Sequence, residues 1–367
     1  MAAHARDYQW VNGNSRIDFW VSGETTSDPV MGPAYFNSRF DMDDVSAGQN
    51  ARLTICLRVC LAEVGPWTKT VTDRDGRPFL QWPQVLDYWT NSWKPLAHWP
   101  DKVFDLFRTW VEQQATSFWG NKDSSWGNSG FWLFCTRPDW QGLDWPRGGN
   151  RPTHRLYVNC DFECIRAAGD GDAHVLIHCA YLNPKVPPPP APACAPVGSP
   201  PSNGPKICAF VNPGRASRTG TGLLTFETIA PRDVPCLPNI KLTRPITGYC
   251  VPHEIGHAIG LPHIGVLERR PDCLMRVEKG DNGSCLECMT GGTEADANNI
   301  MGYGHKTTLI NALPWAVRAA EHTHTNPSDW MIGLGQRAPL DLNHLRQFTG
   351  NPQAPAARMR EYRESNK

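Results

Sequence analysis

The chain has no excess of charge: 36 Lys and Arg stand against 36 Asp and Glu, for a formal net charge of zero. Without a basic field there is no electrostatic case for nucleic acid or an anionic membrane surface as a partner. No apolar run reaches the roughly 18 residues that a bilayer-spanning helix requires, so no membrane span is expected. The opening stretch, Met1 to Asp7, holds no apolar core segment, so no ordinary signal peptide is visible. Cysteine, by contrast, is plentiful, at 13 of 367 residues, and 40% hydrophobic content can bury one large core or two modest ones. Disulfides are the expected use of so many cysteines, which implies an oxidising destination, secreted or exported. The odd count leaves at least one thiol over. Two routes stay open, a leader outside this sequence or a dedicated export machine.

The densest chemistry lies in His253-Glu254-Ile255-Gly256-His257-Ala258-Ile259-Gly260-Leu261-Pro262-His263. On an α-helix each residue advances about 100°, so His253 and His257 sit about 40° apart and one turn up. Both imidazoles then reach one ion at about 2.0–2.1 Å. Glu254 lies beside the first ligand, placed to deprotonate a water rather than to bind the metal. His263, six residues beyond His257, would point about 240° away on a continued helix. The helix must therefore break, and Gly260 is the residue that accepts positive φ at a helix end. Pro262 then prevents it from resuming. Three His ligands leave a fourth position open, as catalytic zinc sites do.

This pattern, followed by Asn298-Asn299-Ile300-Met301-Gly302-Tyr303-Gly304, resembles the signature of the metzincin zinc endopeptidases, H-E-x-x-H-x-x-G-x-x-H with a downstream Met-turn. The close resemblance covers residues 250 to 304. Ile264, after the third His, does not match astacins, serralysins, adamalysins or matrixins, whereas the Asn-Ile-Met-Gly-Tyr wording is similar to pappalysin-like and bacterial members. The resemblance implies Zn²⁺ on His253, His257 and His263, Glu254 as general base and acid, and Met301 as the floor beneath the metal. Tyr303 would bind the metal or stabilise the oxyanion. The implied fold is α+β: a twisted mixed sheet with two main helices in the N-terminal half, a zinc cleft, and an irregular C-terminal half with a helix. The implied reaction is hydrolysis of internal peptide bonds in a protein or peptide substrate.

Ala51 to Leu61 reads as a strand, with Leu53, Ile55, Leu57, Val59 and Leu61 on one face and Arg52, Cys56 and Cys60 off it. Asp101 to Trp119 has helical spacing through Val103, Phe104, Leu106, Phe107, Trp110 and Val111, with Asp101 as N-cap. Strands are expected at 131–135, 155–165, 174–182, 207–211 and 223–229, the last near a cleft-lining edge. Residues 307–322 read as a helix through Leu309, Leu313, Val317 and Ala320. The expected organisation is an N-terminal extension (1–44), an upper catalytic subdomain (45–263) with a Pro-rich insertion (184–206), a lower subdomain (264–350) and a frayed tail (351–367).

Other features have two readings each. Cys273, Cys285 and Cys288 suit disulfides pinning the 264–298 insert, or with a further ligand a structural zinc. Asp281, Asn282, Glu294 and Asp296 are a polar turn or a calcium site. His174 and His178 are core histidines or a second metal pair. Cys135 is a core thiol or a latency ligand. Thirteen of the 15 Trp fall between Trp10 and Trp145, as packing or as a stacking platform. The platform leaves a rival open, a catalytically silent glycan- or protein-binding module. The missing leader leaves another, a metallopeptidase effector toxin with a proteinaceous inhibitor as partner.

Overall fold

The structure, a computed structural model, describes residues 8–10, 17–24, 34–41, 51–65, 69–72, 76, 78–81, 83–87, 92–100, 102–120, 130–135, 157–182, 209–212, 219–225, 232–233, 247–278, 286–323 and 325–334. The Pro-rich insertion and the tail lie outside these residues. Strands β1 (Tyr8–Trp10), β2 (Ile17–Glu24) and β3 (Tyr35–Asp41) form an antiparallel meander leading to β4 (Ala51–Glu63). On β4 the side chains of Leu53, Ile55, Leu57, Val59 and Leu61 are all buried, as period-two alternation onto a covered face requires. Arg52 on the opposite face is exposed and Cys60 half-buried. Cys56 departs from that division: it too is buried, flanked in register by Asn37 and Glu163.

A second antiparallel meander follows, β5 (Val71–Thr72), β6 (Pro78–Gln81), β7 (Gln84–Asp87) and β8 (Ser92–Ala97). Next comes α1 (Val103–Trp119), whose buried stripe is Phe107, Val111, Ala115, Phe118 and Trp119. Leu106 falls off that stripe and is 69% exposed, a correction to the expected apolar face, because it lies about 100° round the helix from buried Phe107. The helix starts at Lys102 with φ 64° and no side-chain cap, and Asp101, the expected cap, lies outside the described residues.

Strands β9 (Phe131–Cys135), β10 (Tyr157–Arg166), β11 (Val175–Leu182), β12 (Ala209–Asn212) and β13 (Gly220–Thr225) complete the N-terminal part. Three of these strands run parallel with β4 in the spatial order β10–β4–β11–β13, and β12 lies outside β13, antiparallel to it. Parallel neighbours need a long crossover, which α1 supplies between β4 and β10. The other pairings are antiparallel, so the fourteen-stranded sheet is mixed and mostly antiparallel. The strand expected near an edge at 223–229 is β13, which ends at Thr225, with 226–229 outside the described residues; among the described residues it lies one strand in, with β12 outside it.

A short pair, β14 (Arg232–Asp233) and β15 (Thr247–Gly248), leads to α2 (Cys250–Ala258). Beyond it lie α3 (Ile264–Leu267), α4 (Pro271–Glu278), α5 (Leu286–Thr290), α6 (Glu294–Ala297) and α7 (Leu313–Thr323), then β16 (Trp330–Leu334), which pairs with β9. The helix expected over 307–322 is a 3₁₀ turn, Leu309–Ala312, followed by α7. Pro314 explains the division: without an N–H it sits in the first α-turn, where no intrahelical bond is required. Leu309 is accordingly off the core, 50% exposed.

The core joins β4, β10 and β11 to α1, α2 and α7. Fully buried Arg318 of α7 donates to the Phe36 carbonyl at 2.7 Å and to Glu321 at 2.6 Å, and its guanidinium lies over the Phe36 ring. His322 and Ser38 hydrogen-bond at 3.1 Å, and Trp315 donates to the Asp161 carbonyl at 2.8 Å. These bonds fix α7, and whatever is attached to its N-terminus, to the sheet.

Candidate metal centre

α2 is buried almost all round: Val251, His253, Glu254, Ile255, Gly256 and Ala258 are all inside. Trp119 at the end of α1 donates its indole N–H to the Pro252 carbonyl at 2.9 Å, which fixes the helix against the sheet layer. The helix stops where its sequence demands. Gly260 has φ +93°, its N–H bonds the His257 carbonyl at 3.0 Å, and the Leu261 N–H bonds the Gly256 carbonyl at 3.0 Å. That pair of bonds is a Schellman closure, which an L side chain at position 260 would strain.

The break brings His263 back to the two helical histidines. Nitrogen atoms of His253, His257 and His263 all lie within 4.8 Å of one another, so the three could hold a metal ion. The Nε2 atoms of His253 and His257 are 3.1 Å apart. Two nitrogens each about 2.0–2.1 Å from a tetrahedral ion are separated by about 3.3 Å, so the donor set fits. Each helical imidazole is oriented from behind: Nδ1 of His253 donates to the Ile300 carbonyl at 2.6 Å and Nδ1 of His257 to the Leu261 carbonyl at 2.7 Å. Those bonds place the proton on Nδ1 and leave the Nε2 lone pair for a metal. Burial pushes the His257 pKa down to about 4, against a smaller upward push from the Leu261 carbonyl, so the ring is neutral at pH 7, as a ligand must be.

Met301, expected beneath the metal, packs against α2. Gly256 faces it: a Cβ there would overlap the Met301 Sδ and meet the Trp119 ring at 3.0 Å. Met301 is fully buried, and its carbonyl accepts the Ile264 N–H at 2.9 Å, next to His263. One dipeptide, Ile300-Met301, thus holds both His253 and the chain that follows His263. The turn is tight because Gly304 has no room for a Cβ against the Asn298 backbone.

Glu254, beside His253, is 6% exposed. Tyr303 is buried as well, and its hydroxyl donates to the Met289 Sδ at 3.5 Å, toward α5. Cys273 and Cys288 form a disulfide that closes 15 residues and abuts Gly265 of α3, while Cys285 lies outside the described residues.

The remaining candidates stand apart from the triad. His174 accepts the Arg58 N–H on Nδ1 at 3.0 Å and packs edge-on against Tyr35, and His178 packs against Phe79. Among the described residues neither joins a metal-holding group. Cys135 is a buried core residue of β9, in register with Trp330. Asp296 accepts the Gly292 and Thr293 N–H groups at 2.9 Å and caps α6, as a polar turn does, while Asp281 and Asn282 lie outside the described residues. Of the clustered tryptophans, Trp99, Trp119 and Trp132 are buried, which favours packing over a platform for these three.

Sequence reasoning missed two asparagines. Asn299 and Asn311, both fully buried, pair through their side-chain amides, and Asn299 Oδ1 accepts the Met301 N–H at 2.8 Å. An Asn in a turn reads as a turn former, and nothing in the chain signals that its partner lies 12 positions on. Comparison with protein-family models, with curated proteins and with solved structures gave no match.

Proposed function

We propose that the protein is a zinc-dependent endopeptidase of the metzincin type, hydrolysing internal peptide bonds of protein substrates. The observation that carries this reading is the gathering of His253, His257 and His263 on either side of a Gly260 helix break. Two of the rings are already oriented through Nδ1. A three-imidazole set leaves one position for water and substrate. Further support comes from Met301 beneath Gly256 and from the antiparallel outer strand β12 near α2. Among the described residues β12 pairs on one side only, and such an edge suits backbone pairing with an extended peptide.

When bound, Zn²⁺ would supply a Lewis acid that acidifies a water and polarises the scissile carbonyl. Glu254 takes the proton of the attacking water and returns it to the leaving amine. Burial keeps bulk water from competing for that carboxylate. Tyr303 stabilises the developing oxyanion once its hydroxyl exchanges Met289 for substrate. Met301 and Gly256 keep the floor apolar and close-packed.

Casein cleavage tests this directly. Wild-type protein should cleave, lose activity to a chelator and regain it with zinc. Glu254→Gln should lose about 100-fold or more while still binding metal. Zinc-loaded wild type that is as inert as the variant would sink the reading.

A further inference from the structure

We infer that Asn299 and Asn311 form a latch that sets the metal affinity of the histidine triad, acting as positioning residues rather than as ligands. The inference rests on the triad being a metal centre, as proposed above. Asn299 Nδ2 donates to Asn311 Oδ1 at 2.9 Å, and Asn311 Nδ2 donates back to Asn299 Oδ1 at 3.2 Å. The same Asn299 amide donates to Thr308 Oγ1 at 2.9 Å, and Asn311 Oδ1 also accepts the Thr308 N–H at 2.8 Å. Two backbone N–H groups, those of Met301 and Thr308, can meet only oxygens, so both amide orientations are determined by the network.

The consequence runs in two directions. Toward the metal, Asn299 Oδ1 holds the Met301 N–H and thereby the peptide between Ile300 and Met301. The Ile300 carbonyl on that peptide orients His253, and the Met301 carbonyl holds the Ile264 N–H beside His263. Toward the scaffold, Asn311 lies in the 3₁₀ turn that runs directly into α7, which Arg318 and His322 bond to β3. Hydrogen bonds and the intervening backbone of α7 therefore link the large sheet to His253 and to Ile264, the residue that follows His263. Both amides are fully buried, where a half-broken network leaves polar groups without partners.

Outer groups that orient metal-ligating histidines typically govern about 10–100-fold in metal affinity. The test is competition titration of Zn²⁺, and the visible spectrum of Co²⁺, on wild type, Asn299→Ala, Asn311→Ala, the double variant and Asn299→Asp. Val85→Ala, in the separate cluster under β7, serves as a destabilised control. Asn299→Ala and Asn311→Ala should each weaken metal binding about 10-fold or more and alter the Co²⁺ bands. The double variant should lose clearly less than the sum of the singles, since both act through one pair. Asn299→Asp keeps an acceptor for the Met301 N–H and should recover most of the affinity, although a buried carboxylate makes it no more stable than the alanine variant. A latch predicts that affinity follows the acceptor, whereas a merely structural role predicts that it follows stability. Affinities of folded variants within twofold of wild type, or an equal loss in Val85→Ala, would overturn the latch. If Asn299→Ala does not fold, Asn311→Ala and Asn299→Asp decide by the same criterion. Wild-type protein that binds no metal would instead overturn the metal centre itself.

Discussion

Gly256 and His174 carry chemical consequences that single substitutions expose. Gly256 lies between the two helical ligands, and the Met301 Sδ occupies the place a methyl group would take. Gly256→Ala should raise helix propensity by up to about 1 kcal/mol and yet lower stability by about 1–3 kcal/mol through overpacking. Thermal unfolding with and without zinc measures this, and a variant as stable as wild type would mean that Met301 is not seated there. His174 is 1% exposed, and burial, with Arg58 and Arg318 adding to it, pushes its pKa from the usual 6.5 down to about 3. Between those two values the unfolded chain binds a proton there and the folded protein does not. Unfolding then takes up a proton, so stability is intact above pH 6.5 and falls as the pH drops toward 3. This group contributes on the order of 1.4 kcal/mol per pH unit across that window. Urea midpoints from pH 7 to 4 should fall less steeply for His174→Gln than for wild type, and parallel curves would refute the assignment. At this scale the three imidazoles, Glu254 and the helix-breaking Gly260 were legible in the sequence, because each follows from spacing along one helix and its end. The Asn299–Asn311 pair was not, because it joins positions that only the folded chain brings together.

Among the elements, β4 and α1 were readable because strict alternation or a 3.6-residue repeat marked one buried face, although neither repeat foretold the burial of Cys56 or the exposure of Leu106. β3 was not. Its core-facing positions include Ser38, which hydrogen-bonds His322, so apolar alternation breaks at that residue. The short strands β5 to β8 carry too few residues for any period to register, and Gly220 and Gly222 hide only the start of β13, whose Leu223–Thr225 end falls in the expected strand. A crosslink that composition signalled without naming its partners joins α4 to α5 and packs against α3. In the chain-entropy account a 15-residue loop closed by Cys273–Cys288 is worth about 3 kcal/mol. Replacing both cysteines with alanine should lower stability by about that amount and loosen α3 where the disulfide meets Gly265, next to His263. Hydrogen exchange localised to 264–290 checks this, and unchanged protection there would show that the crosslink does not brace the third ligand.

For the whole molecule, the sheet, α2 and α7 share one core, so metal binding and folding should be coupled. A ligand that binds only the native state stabilises it by RT ln(1 + [L]/Kd), about 2.7 kcal/mol at a hundredfold excess over Kd. Chelation should therefore lower Tm cooperatively, in a single transition rather than in the melting of the C-terminal part alone. The most direct measurement of the central claim is the metal content of natively purified, well-folded protein beside its His257→Ala variant. The wild type should carry about one tightly held zinc per chain, lost on substitution without loss of the β-rich circular dichroism. A folded wild type that holds no transition metal after incubation with zinc, or a His257→Ala variant that retains it fully, would contradict the claim.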